Sequence, residues 1–178
     1  EHVLAKDETG VRFSLPAPMD SLTLKAKALT LLHERIDTSL EAAEVNMKRL
    51  IARINEAPGA TESKSDTNKQ QYSKLADAQQ KATIELQEGK KQLNTLMLEE
   101  CSKDEVSLGS IVEVLDGGVN RFYFPLPYGG GERLSVEKDI GEILVITPES
   151  PAGKAFLSKK RGNYVEFASK KVEIKDIF

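Results

Sequence analysis

Two carboxylates, Glu62 and Asp66, stand four residues apart just after a Pro58-Gly59 pair. If a helix has begun by then, they share one face near its positive N-terminal end. A hard cation such as Mg²⁺ takes oxygen ligands and keeps several waters. One or two protein carboxylates therefore suffice where phosphate oxygens and a second protein supply the rest. Acids so placed equally serve as ordinary first-turn residues, each stabilising a helix start by about 0.3–1 kcal/mol. Around them lie five basic residues, Lys48, Arg49 and Arg53 before the turn and Lys64 and Lys69 after it. Such charges hold nucleic-acid phosphates, although each taken singly is also what a solvated helix face carries. Their gathering at one end is the feature that favours function. His33 falls at an otherwise apolar position with no second histidine at metal-site spacing, and the single Cys101 excludes an internal disulfide or a thiolate cage.

The elements that position these residues follow from periodicity. Asp20 to Ala57 contains neither Gly nor Pro. Its apolar residues recur at heptad spacing, with Leu22, Leu29, Ile36, Ala43 and Leu50 in one column and Ala26, Leu40, Met47 and Ile54 in the other. A second polar helix running to about Cys101 continues the pattern through Tyr72, Leu75, Ala82, Leu86, Leu93 and Leu96, with Gln79 and Gly89 as weak positions. Two such helices joined by a short Pro-Gly turn predict an antiparallel coiled-coil hairpin over 19–101, with its tip between Ala57 and Thr67. A rod this narrow has little volume to serve as a core, so its length serves reach or a partner.

From Val106 onward, β-branched and aromatic runs are divided by Gly and Pro turns. Ser110–Leu115, Arg121–Leu126, Ile140–Ile146, Asn163–Ala168 and Val172–Ile177 read as strands. Gly117-Gly118 is a hairpin turn and Gly129-Gly130-Gly131 a permissive loop. Ala152–Lys159 reads as a short helix, with Ser150 as its cap and Pro151 at its first position. The expected class is α+β, a long hairpin followed by a small, mostly antiparallel sheet domain over 102–178. Residues 1–18 read as a leader or flexible segment.

Composition narrows the function. The chain has 178 residues, 39% of them hydrophobic, which is too many for a disordered tail. Its 25 basic and 28 acidic side chains leave a net charge of -3, so no overall field draws it onto free duplex DNA or an anionic membrane. No apolar run approaches a membrane span. A cytoplasmic monomer is expected.

The two-part layout resembles the bacterial transcript cleavage factors GreA and GreB from about Met19 to Phe178. Gly109-Ser110-Ile111-Val112 is similar to the family's Gly-Ser before a valine-rich strand. Ile146 to Leu157 resembles its Ser-Pro helix, and Lys159-Lys160-Arg161-Gly162-Asn163 resembles the Lys-x-x-Gly-Asp that follows. Ser158 stands where the family usually has Gly, and Asn163 where it has Asp. The tip lacks the Gly-Asp-Leu-Ser-Glu-Asn of GreA and reads Ala60-Thr61-Glu62-Ser63-Lys64-Ser65-Asp66-Thr67. With Tyr123-Phe124 and the triple glycine, this looks like a divergent branch.

The resemblance implies an FKBP-like C-terminal domain at the rim of RNA polymerase's secondary channel, with the hairpin reaching down to the active site. It implies that Glu62 and Asp66 help hold a second Mg²⁺ beside the polymerase's own, so that backtracked RNA is cut. Lys48, Arg49, Arg53, Lys64 and Lys69 would hold the nascent RNA 3′ end, and Ser150, Pro151, Gly153 and Lys154 would touch the polymerase. The factor is then no enzyme itself; it stimulates the polymerase's own nuclease. The altered tip keeps open a second reading, a channel-binding regulator or inhibitor without cleavage stimulation. A free peptidyl-prolyl isomerase rests on fold analogy only, and no such activity is expected.

Overall fold

The computed structural model describes residues 21–56, 63–96, 104–137, 141–167 and 170–178, the side chains at 56, 63–68 and 137 excepted. Helix α1 spans Ser21–Glu56 and α2 spans Ser63–Asn94. At about 1.5 Å per residue α1 is roughly 54 Å long. Arg53 of α1 meets Tyr72 of α2, while Asp37 meets Lys90. One numbering therefore rises as the other falls, and the hairpin is antiparallel. Thr95 and Leu96 close α2 by donating to the carbonyls of Gln92 and Leu93. The rest of the stretch expected to reach Cys101 lies outside the described residues. No described helix is long and apolar enough to cross a membrane.

The seam differs from the heptad expectation in two places. On α2 the inward columns are Tyr72, Gln79, Leu86 and Leu93 with Ala76, Thr83 and Lys90, whereas Leu75 and Ala82 are exposed. Leu75 thus faces solvent while Ala76 and Gln79 line the seam. The Lys90 stem lies in the seam and pairs with Asp37 of α1. On α1 the upper seam of Ile36, Leu40, Ala43, Met47, Leu50 and Ile54 is as expected, but Leu22 and Ala26 are exposed. In their place Leu24, Ala28, Leu32 and Ile36, one turn apart, are buried against the sheet domain. The hairpin is thus not only a rod, because its base is half of a core.

The sheet has six strands in the order β3-β4-β2-β1-β6-β5. Strands β1 (Val112–Asp116) and β2 (Val119–Pro125) form a hairpin around Gly117-Gly118. Strand β3 (Arg133–Glu137) pairs with β4 (Gly141–Ile146), and β5 (Tyr164–Phe167) with β6 (Lys170–Ile177), which also pairs with β1. These pairings are antiparallel. The β2–β4 pair is parallel, because the chain leaves β2, runs out to the β3 edge and returns between them. Strand β3 was not expected. Its Leu134 and Val136 alternate correctly, but polar neighbours and the preceding glycines hide a run of five residues.

The two faces of the sheet carry different cores. Phe122, Phe124, Leu134, Ile143 and Val145 point to the hairpin base and meet Leu24, Ala28, Leu32, Ile36 and Leu93. Tyr123, Val114, Ile146, Val172 and Ile174 point the other way, toward helix α3 (Pro151–Phe156) and its Phe156. There Tyr123, Phe156 and Phe167 pack ring to ring, with centroids 5.0–5.7 Å apart.

One contact between hairpin and sheet domain is a ring against a missing side chain. A Cβ at Gly89 would lie 2.4 Å from the Tyr128 ring, so the glycine in mid-helix is a slot for that ring. Burial, and then the Glu85 carboxylate, push the Tyr128 hydroxyl above its ordinary pKa. At an open helix position Gly89→Ala would stabilise by about 1 kcal/mol. Here we expect the opposite sign, a loss of about 1–3 kcal/mol as the ring is displaced. Thermal denaturation checks this, and an unchanged or raised Tm would remove the slot from the account.

Candidate functional site

The end of the hairpin remote from the sheet domain gathers the basic residues. Arg49 and Arg53 are one turn apart on one face of α1, and both are exposed. Lys48 is also exposed, but five residues before Arg53 it lies about 140° round the helix. The structure therefore separates Lys48 from the other two. On α2, Lys69 is exposed one turn before the half-buried Tyr72. The Arg53 guanidinium sits over the Tyr72 ring, 5.7 Å from its centroid, joining the two helices here. Arg53 is in the last turn of α1, where the helix dipole favours a cation.

Lys64 and Asp66 lie in the first turns of α2. Their side chains, and all of Glu62, lie outside the described residues. No group of three His, Cys, Asp or Glu placed to hold a metal occurs among the described residues. Sequence reasoning placed Tyr72 in the seam but missed its second role; an aromatic facing an arginine across the turn was the signal.

The second candidate surface surrounds α3. Ser150 caps the helix, its Oγ accepting from the Gly153 N–H at 3.0 Å and donating to the Thr147 carbonyl at 2.6 Å. A Cβ at Gly153 would lie 1.9 Å from that same carbonyl. Ser150 and Gly153 are thus occupied in building the turn. Pro151 and Lys154 are exposed, Lys154 reaching Glu149 at 3.5 Å. Downstream, Lys159, Lys160 and Arg161 are also exposed, Arg161 lying 3.4 Å from Asp176. Burial and then Asp176 raise the Glu113 carboxyl above the usual range, while Lys175 and Arg161 pull it back.

Two departures from the family pattern acquire physical meaning here. The Asn163 side-chain oxygen accepts from the Lys160 N–H at 2.8 Å, which an Asp would also do. Ser158 has φ 62°, in the left-handed region that glycine enters freely. It is held there because its N–H donates to the Val106 carbonyl at 2.9 Å while Val106 N–H donates to Lys159.

The strain gives a signed expectation. Ser158→Gly should stabilise by about 0.5–1 kcal/mol, the left-handed cost of ~1–2 kcal/mol less the ~0.5–1 kcal/mol of extra chain entropy that Gly loses on folding. Chemical denaturation reads this directly. A loss of stability would mean that the hydroxyl makes a contribution of its own.

No family model matches the chain, and no curated protein matches it. Among solved structures it is similar to GreA factor homolog 1 (Gfh1) of Thermus thermophilus, at 18% identity over 82% of this chain and 93% of that one, with a TM-score of 0.33. It is similar also to a second structure of the transcription factor Gfh1, at 19% identity over 81% and 91%, TM-score 0.32. A third is Gfh1 of Thermus aquaticus, at 19% identity over 82% and 92%, TM-score 0.31.

Proposed function

We propose that this chain is a Gre-like bacterial transcription factor that docks its sheet domain on RNA polymerase and extends its hairpin into the secondary channel. The observation that carries the reading is the hairpin itself. Its base is fixed in the core of the sheet domain, and from Leu40 to Glu56 α1 continues for about 25 Å toward an end that presents Arg49, Arg53 and Lys69. Reach of this kind suits a site at the bottom of a channel. The Ile146–Leu157 and Lys159–Asn163 resemblances support the same partner, with Pro151 and Lys154 as the exposed side chains offered to it.

In this reading Glu62 and Asp66 supply hard oxygen donors, the class Mg²⁺ prefers, at the far end of the hairpin. A second Mg²⁺ shared with the polymerase active site would activate a water for phosphodiester cleavage. The factor contributes the two carboxylates and the basic residues that hold the displaced RNA 3′ end, and the polymerase carries out the cut. The protein acts in the cytoplasm, as an accessory factor and not as an enzyme. The second reading, a channel-occupying regulator that does not stimulate cleavage, is favoured by one observation, the Ala60–Thr67 tip that departs from the GreA signature.

A cleavage assay on artificially backtracked elongation complexes across a Mg²⁺ titration separates the two. Faster cleavage at limiting Mg²⁺ is expected, together with its loss in the Glu62→Ala, Asp66→Ala double variant while polymerase binding is kept. Competition with a known cleavage factor without acceleration would establish the regulator. Loss of binding in the double variant would remove the metal role from these acids.

A further inference from the structure

The upper hairpin holds an aromatic residue where packing alone does not ask for one. Tyr72 shares its heptad column with Gln79, Leu86 and Leu93, in which a leucine does the packing at two positions. Opposite Tyr72, and nowhere else among the described arginines, a guanidinium lies over an aromatic ring. Arg53 is exposed, so the stack does not bury it. At this distance the contact is a cation–π attraction that restricts where the guanidinium can swing, and the group stays accessible to a ligand. A free surface arginine gives up rotamer freedom when it binds an oxyanion, whereas a stacked one has already given up part of it. Arg49, one turn back, and Lys69, one turn before Tyr72, add positive charge on the same two helix faces. Charge alone would be met equally well by lysine. A planar donor held by a ring suits a bidentate phosphate contact.

We propose that Tyr72 is a positioning residue that holds Arg53 for bidentate contact with a backbone phosphate of single-stranded RNA. This rests on the reading that the far end of the hairpin meets the RNA 3′ segment, and it adds a division of labour. Arg53 makes the geometrically fixed contact, while Arg49 and Lys69 attract RNA less specifically.

The test uses the full chain and a short 5′-labelled single-stranded RNA, with fluorescence anisotropy followed over a salt titration. Arg53→Ala and Tyr72→Leu are each expected to weaken binding by roughly five- to tenfold at low salt and to reduce the log–log salt slope by about 0.7, one single-strand phosphate. Tyr72→Phe keeps the ring and should bind within about twofold of the parent, and combining Tyr72→Leu with Arg53→Ala should add nothing. Arg53→Lys keeps the charge and a cation over the ring but not the planar fork, and should lose affinity as Tyr72→Leu does. Parent-like binding by Tyr72→Leu or Arg53→Lys, or additive losses in the double variant, would overturn the proposal. Binding of the unaltered chain to RNA polymerase is measured separately. Its absence would sink the channel reading and leave the Tyr72–Arg53 result to stand by itself.

Discussion

The mutual burial of the first four turns of α1 and the β3-β4-β2 face of the sheet is the constraint from which the rest of the molecule follows. Leu24, Ala28, Leu32 and Ile36 form a stripe with a four-residue repeat, and none is more than 5% exposed. Each large aliphatic buried there is worth about 1.5–3 kcal/mol. The ion pair at the same junction, Arg35–Glu132, and the pair Lys90–Asp37 between the two helices beside it join side chains that are between a third and a half exposed. Such pairs contribute about 0–1 kcal/mol. Apolar packing therefore sets the direction in which the hairpin leaves the sheet domain, and the Tyr128 ring seated on Gly89 fixes its rotation. Charged pairs only trim it.

Away from that junction the hairpin becomes a two-helix contact. Met47, Leu50, Ile54, Tyr72 and Ala76 are half-buried, where the base residues are fully so. Local stability falls with buried apolar contact, so it declines from base to far end. That gradient leaves the far end freer to adjust than the base. It also explains why a clasp across the helices, Arg53 on Tyr72, is placed high in the hairpin, where little else ties the helices together.

Much of this was legible in the sequence, for physical reasons that can be named. The absence of Gly and Pro over 38 residues and a seven-residue repeat leave α1 few alternatives. Ser150-Pro151 announced α3 because capping is a local matter, settled within four residues. What escaped was whatever depends on distant neighbours. Nothing local says that Leu24 is buried and Leu22 exposed, because the choice is made by Leu134 and Ile143 on a sheet over a hundred residues away. Gly89 read as a weak seam position, because the ring that needs its space is also remote. Strand β3 was lost among polar neighbours, since an edge strand of five residues carries a short signal. At the site, the sequence places five basic residues near the turn, of which Arg49, Arg53 and Lys69 are exposed at the far end of the hairpin. That Lys48 faces away from Arg53, and that Ser150 and Gly153 are occupied in making a turn, needed the geometry.

Strand β2 belongs to both cores, with Phe122 and Phe124 turned to the hairpin and Tyr123 between them turned to α3. It is also flanked by an antiparallel neighbour on one side and a parallel one on the other. A slip of one residue would send two phenyl rings and one phenol to the opposite compartments at once, disrupting both. The Phe-Tyr-Phe triplet thus acts as a registration mark for the whole domain. Neither core can settle before the strand is seated correctly, so hairpin and sheet are committed to fold together.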